Sequence, residues 1–258
     1  MKYLLLIGMI MAGLVLVQFA QGQTVDQVIE KYAEARGGIE KLLGIRSIYM
    51  EGARMMMGNE VTVKVTKEQG KLSRTEFEMG ANNGFMIVTD KEGWNMFSMR
   101  SPTPTKLPEE AVAQQQTELD IAGPMINYTA KGHQAELMGK DTLNGVLCYK
   151  IKLTTANGKE IRYWLDAQTH LLVQSAIKTK GNFVGRNGDK TVATAPSEGD
   201  LITLFSDYQG VDGILFPHTI VTKMPGNIRG GGGTTDNSTT FDKIELNITV
   251  DPKLYKPE

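Results

Sequence analysis

Val61-Thr62-Val63-Lys64-Val65-Thr66 sets apolar and polar side chains in strict alternation. In an extended chain successive side chains point to opposite faces, so the three valines share a buried face and Thr62, Lys64 and Thr66 share the other. The same period returns in Tyr149, Ile151 and Leu153 against Lys150 and Lys152. It returns again in Ile244, Leu246, Ile248 and Val250 against Lys243, Glu245 and Asn247. Similar patterns predict strands at 46–57, 72–79, 84–90, 93–100, 134–140, 160–166, 170–178, 200–208 and 214–222. Turn signals separate many of them, among them Gly58-Asn59, Asn82-Asn83-Gly84, Asn144-Gly145, Asn157-Gly158 and Asp212-Gly213. About eleven antiparallel strands in one domain require a strongly curved sheet or a barrel.

Ahead of these strands lies one helix with a legible start and stop. Thr24 can cap while Gln27 reaches back, and Val25, Val28, Ile29, Tyr32 and Ala33 form one apolar stripe. Gly37-Gly38 ends it, and a short turn over Ile39 to Leu43 continues the apolar face. Such a helix is expected to lie on a hydrophobic surface. Two interruptions break the run of strands. Pro102 to Ala122 starts with Pro102, Pro104 and Pro108, reads as helix through Glu109-Glu110-Ala111-Val112, and is expected to cross one face of the sheet before Gly123-Pro124. Residues 179–199 and the Gly230-Gly231-Gly232-Gly233 region are small and polar, and are expected to be mobile loops.

The chain opens with Lys2, an apolar run from Tyr3 to Phe19 and the small-residue exit Ala20-Gln21-Gly22. That pattern reads as a cleaved secretory signal over 1–22, leaving residues 23–258 as one domain in the periplasm; an uncleaved membrane helix is the alternative. No Cys stands at the exit site to take a lipid, so no permanent membrane anchor is expected. The single cysteine, Cys148, cannot form an internal disulfide and reads as a passive strand residue. With a formal net charge of -1 and no basic run, the chain lacks the footprint of a nucleic-acid binder.

Methionine is concentrated: ten of the eleven beyond residue 22 fall between Met50 and Met138. Met50, Met55, Met57, Met79, Met96 and Met99 are candidates for a pliable apolar binding surface, or else fill an irregular core. Trp94 and Trp164 are candidates for the same wall, with core packing the alternative; Trp164 shares a strand face with Arg162 and Asp166. Chemistry finds little support. His133, His170 and His218 are far apart and lack metal-ligand spacing, no Gly-x-Ser-x-Gly elbow occurs, and the glycine run lacks the Lys and Ser/Thr of a phosphate loop. No cofactor is expected.

Several segments resemble the bacterial outer-membrane lipoprotein-sorting proteins of the LolA/LolB-like superfamily. These are Gly37-Gly38-Ile39-Glu40-Lys41-Leu42-Leu43-Gly44-Ile45-Arg46-Ser47-Ile48 with Gly52, and Gly139-Lys140-Asp141-Thr142-Leu143-Asn144-Gly145 leading to Tyr149-Lys150-Ile151. Tyr163-Trp164-Leu165-Asp166 with Thr169 and Leu171-Leu172, and Asp207-Tyr208 with Val211-Asp212-Gly213-Ile214 and Phe216-Pro217, complete the set. The resemblance implies a mainly β (α+β) fold, a strongly curved antiparallel half-barrel with an N-terminal helix and a helical lid over the concave face. It also implies an apolar cavity that shelters acyl chains of a lipoprotein or lipid, with inner- or outer-membrane transfer partner proteins. In that family an arginine latches the lid, and Arg46 or Arg54 stands in the corresponding first strand. An envelope sensor acting through a protein partner is the first alternative function; a hydrolase is the second.

Overall fold

The computed structural model describes residues 23–56, 59–181, 184–187, 190–193, 197–224 and 235–257. The apolar run over 3–19 with its exit site, Met57 and the Gly230–Gly233 region lie outside them. Among the described residues no helix is long and apolar enough to cross a membrane.

The chain is mainly β. The first half supplies β1 (Ser47–Met56), β2 (Asn59–Glu68), β3 (Leu72–Met79), β4 (Asn82–Thr89), β5 (Gly93–Phe97) and β6 (Ser101–Lys106). Then follow β7 (Gln134–Leu143), β8 (Val146–Thr154), β9 (Glu160–Asp166), β10 (Leu172–Gly181), β11 (Val184–Asn187) and β12 (Lys190–Ala193). The last are β13 (Ser197–Val211), β14 (Ile214–Met224) and β15 (Thr235–Leu246). Thirteen of them form one open antiparallel sheet in the order β6-β5-β4-β3-β2-β1-β15-β14-β13-β10-β9-β8-β7, and β11 with β12 forms a separate hairpin. Two meanders are therefore joined where β1 meets β15, with Met50 opposite Ile244. At the bulge between Glu51 and Gly52 a Cβ on Gly52 would lie 2.0 Å from the Thr240 carbonyl oxygen, so only glycine lets β15 approach there.

Helix α1 (Val25–Ala35) forms as its sequence dictates. Thr24 Oγ1 accepts the Gln27 N–H at 3.2 Å while Gln27 Oε1 accepts the Thr24 N–H at 3.0 Å. Val28, Ile29, Tyr32 and Ala33 are buried against the sheet, a gross contribution of about 6 kcal/mol. The Gly38 N–H bonds the Ala33 carbonyl at 2.8 Å and the Gly37 N–H bonds that of Glu34 at 2.9 Å, a Schellman stop. Gly37 has φ +119°, and a Cβ there would lie 2.3 Å from the Gly213 carbonyl oxygen in the β13–β14 turn. The glycine thus serves the helix stop and the docking of α1 at once. The turn α2 (Ile39–Leu43) adds the fully buried Leu42 to the same core.

The face under α1, the inner face, carries Val61, Val63 and Val65 together with Ile151, Leu153, Leu165, Phe216 and Phe241 in one core cluster. Two smaller clusters lie on the outer face. Leu72, Phe85 and Ile87 pack beneath Val250, Leu254 and Tyr255, and Cys148, Trp164 and Ala176 form the other.

Several expectations change. The sheet exceeds the expected eleven strands because Pro102 and Pro104 lie within β6, an edge strand whose outer side needs no ladder donors. The described residues within 179–199 are strand: β10 and β13 continue pairing through Thr179↔Gly199 to Gly181↔Ser197, a main-chain ladder that side-chain patterning does not reveal. The expected strand over 244–250 stops at Leu246, since Asn247 turns to φ +55°, and Val250 packs on the outer face. The crossing segment holds only a short helix, α3 (Glu109–Gln114), and a 3-10 turn (Gln116–Leu119), followed by irregular chain to His133. Val112 and Leu119 pack on Val88, so the expected helical lid is in fact α1 plus an irregular strap.

Candidate functional site

Between the inner face, α1 and the strap lies a cavity of about 460 Å³. Its sheet wall is Ile48 and Met50 of β1, Ile161 and Tyr163 of β9, Leu172 and Ile177 of β10, Leu201 and Phe205 of β13, and Phe216 and Ile220 of β14. Pleat alternation explains the choice, since Ile161 and Tyr163 face inward while Arg162 and Trp164 face out. Tyr32 of α1, Arg36 at its C-terminal cap, and Thr117, Glu118 and Asp120 to Met125 of the strap close the other side. The walls are therefore mostly aliphatic and aromatic, with Ser175, Thr203 and Tyr208 as polar groups on the sheet side.

The strap is tied down by a few specific bonds. The Gly70 N–H donates to the Leu119 carbonyl at 2.8 Å, the Ile121 N–H donates to Gln69 Oε1 at 2.8 Å, and Tyr128 Oη donates to Asp26 Oδ1 at 2.6 Å. Lys131 Nζ holds Asp120 Oδ2 at 2.6 Å and the Gly123 carbonyl at 3.0 Å. Ala122, Met125 and Ile126 sink into the core beneath it. On its far side the strap borders a second cleft of about 450 Å³ lined by Gln69, Lys131, His133 and Asn157, and Thr117, Asp120 and Pro124 line both spaces. The strap is thus a partition one chain thick.

Arg36 is the junction of helix, strap and sheet. It is 7% exposed, and its guanidinium donates to the Leu215 carbonyl at 3.2 Å, Tyr32 Oη at 3.2 Å and the Ala122 carbonyl at 3.4 Å. It also stacks on the Tyr32 and Phe216 rings, 5.7 and 5.3 Å from their centroids. The sequence carried a signal for it: position 36 continues the stripe of 25, 28, 29, 32 and 33 by one more helical step, so a charged residue there must be buried. Arg46 is exposed ahead of β1, where its backbone N–H bonds Asn247 Oδ1. Arg54 lies over the Phe77 ring at 4.5 Å. Neither lines the cavity.

Of the candidate wall residues, Met50 lines the cavity. Met79 borders a shallow recess with Val61, Phe77 and Phe97, while Met55 and Met99 are exposed. Trp94 and Met96 pack on the outer face under the C-terminal residues. Trp164 is buried on the outer face beside Cys148, with its indole N–H on Asp141 Oδ2 at 3.0 Å. Burial pushes the Cys148 thiol up, reinforced by Asp166 and Asp141, which suits a passive side chain. The histidines stay apart: His133 Nδ1 accepts the Ala156 N–H, His170 stacks on Tyr149, and His218 Nδ1 bonds the Phe241 carbonyl at 2.7 Å.

No family model and no curated protein matches the chain. Solved structures do match in fold. A DUF1329 family protein from Desulfovibrio piger superposes with a TM-score of 0.55 at 12% identity, covering 91% of this chain and 98% of that one. A LolA superfamily protein from Nitrosomonas europaea gives 0.53 at 13% identity, over 92% of this chain and 99% of that one. The chain shares its overall fold with these two proteins. In this chain the inner face, the leading helix and the crossing segment enclose the cavity described above.

Proposed function

We propose that this LolA-like protein is an exported carrier or binding protein that shelters the acyl chain of a lipid or lipoprotein in its inner-face cavity, acting by sequestration rather than catalysis. Residues 23–258 form the single binding domain of this reading, released into the periplasm after removal of 1–22, and membrane transfer proteins would deliver and receive the load. The observation that carries it is the cavity of about 460 Å³ with ten aliphatic, aromatic or thioether side chains on its sheet wall. At about 30 Å³ for each methylene-sized group, that space holds roughly fifteen groups. One acyl chain fits; a second does not. Drying fifteen methylenes at about 0.8 kcal/mol each gives on the order of 10 kcal/mol, ample for transport through water.

Release needs a competing cover, and the strap supplies it. Its bonds to Gly70, Gln69 and Arg36 are few enough to break when a load enters or leaves. The test is native mass spectrometry of the purified protein after incubation with dodecanoate and with 1-dodecanol. A one-to-one adduct that persists at low ionic strength is expected with at least one chain. If neither chain forms an adduct, sequestration of acyl chains is wrong.

A further inference from the structure

The charges at one end of the cavity narrow the ligand's class, an inference that rests on the carrier reading above. Lys67 of β2 and Lys159, one residue ahead of β9, both line the cavity, and so does Glu118 of the 3-10 turn in the strap. Glu118 Oε2 lies 3.1 Å from Lys67 Nζ. The Lys67 ammonium holds the Glu118 carboxyl below the usual carboxylate range, with Lys159 acting in the same direction from further away. Lys159 Nζ donates to the Gln114 carbonyl at 3.2 Å and has no carboxylate within ion-pair distance among the described residues. Burial pulls its pKa down, opposed only in part by the more distant charge of Glu118.

The other charged groups in the cavity wall already have hydrogen-bond partners, although the Arg36 charge meets neutral acceptors only. Asp120 is held by Lys131 at 2.6 Å, and Arg36 directs its donors to Leu215, Tyr32 and Ala122. What remains is the Lys67 ammonium on β2, the Lys159 ammonium just ahead of β9 and one carboxylate on the strap. That carboxylate sits where a ligand's anion would be best placed.

We propose that the cavity takes a single-chain amphiphile with an anionic head, a carboxylate or a phosphate ester, and that Glu118 is its stand-in while the cavity is empty. The chain lies along the apolar wall, and the head takes the Lys67 ammonium and shares Lys159. Two anions cannot occupy that place together, so the arriving head repels Glu118 and turns Gln116–Leu119 away from the sheet. Loading and opening of the strap are then one event, driven by the same charge. A neutral amphiphile fills the cavity without that effect.

Isothermal titration of the purified protein with dodecanoate, dodecyl phosphate and 1-dodecanol tests this. Both anions are expected to bind about tenfold or more tightly than the alcohol, the worth of one charge-assisted hydrogen bond. The stronger of the two anions identifies the head. Lys159→Met is expected to bring anion and alcohol to within a fewfold, and Glu118→Gln to widen the ratio of anion to alcohol affinity. Alcohol binding checks that each variant is folded, and Lys67→Met provides the same comparison if Lys159→Met loses it. Equal affinities for alcohol and anions in the natural protein, or a ratio unmoved by both lysine variants, overturn the head-group assignment but leave acyl carriage intact. No binding by any of the three overturns both.

Discussion

Thr203→Phe would test whether the inner-face space is a measured container for hydrocarbon. Thr203 lies on β13 opposite Ser175, half-buried, with its side chain on the cavity wall. The larger side chain adds three or four methylene-sized groups, about 100 Å³ at roughly 30 Å³ each. It enters open space rather than packed core, so the usual strain of an enlarged side chain is absent. Removing that volume from about 460 Å³ lowers the capacity from roughly fifteen groups to about twelve. A hexadecanoate chain then leaves three or four carbons in water. At about 0.8 kcal/mol per methylene this costs about 3 kcal/mol, a loss in affinity of roughly a hundredfold. Decanoate still fits and is expected to bind within about twofold of its original affinity, since it stays below the reduced capacity. Competition titrations of both chains at one ionic strength read the difference directly. The reasoning fails if decanoate loses as much as hexadecanoate, which indicates a general disturbance of β13, or if neither changes, which places the chain elsewhere.

Two further outcomes follow from the strap. Arg36→Met keeps the apolar stem but leaves the Ala122 and Leu215 carbonyls without their charged donor, and is expected to cost about 2–4 kcal/mol. The thermal midpoint should fall, and amide exchange over residues 122–126 should speed up more than exchange in β8; equal change in both places would show that Arg36 stabilises the whole sheet rather than the strap. Burial, aided by the Lys131 charge and opposed by Asp120, lowers the pKa of His133. The folded state therefore prefers neutral imidazole, and this contribution to stability is present above the ordinary value near 6.5 and lost as pH falls through the lower folded value. An NMR titration of the His133 ring protons should show a midpoint below 6.5, and a midpoint at or above it would contradict the packing described at the second cleft.

Local patterns settled the elements. Alternation in 61–66 and 149–153 marks strands because a pleated chain exposes every second side chain, and the Thr24–Gln27 pair with Gly37-Gly38 marks the ends of α1 because helix termini need partners for their free backbone groups. The same patterns misled where side chains do not decide pairing. β6 forms despite Pro102 and Pro104, since an edge strand requires bonds on one side only, and the ends of β10 and β13 pair through backbone alone. Methionine content left open a binding wall or an irregular core, and among the described candidates Met50 alone lines the cavity, because composition does not state which face of a strand a residue occupies.

The amino-acid sequence by itself determined that this chain is a long antiparallel array with one amphipathic helix, since those features depend on neighbours within a few positions. Only the tertiary structure decided that Ile48, Ile161, Phe205 and Phe216 surround an empty space, and that Lys67, Lys159 and Glu118 come together in its wall. A cavity is the volume that distant segments fail to fill when they meet, and a charge balance is a sum over groups brought together by folding. Neither quantity exists until the strands, the helix and the strap have closed on one another.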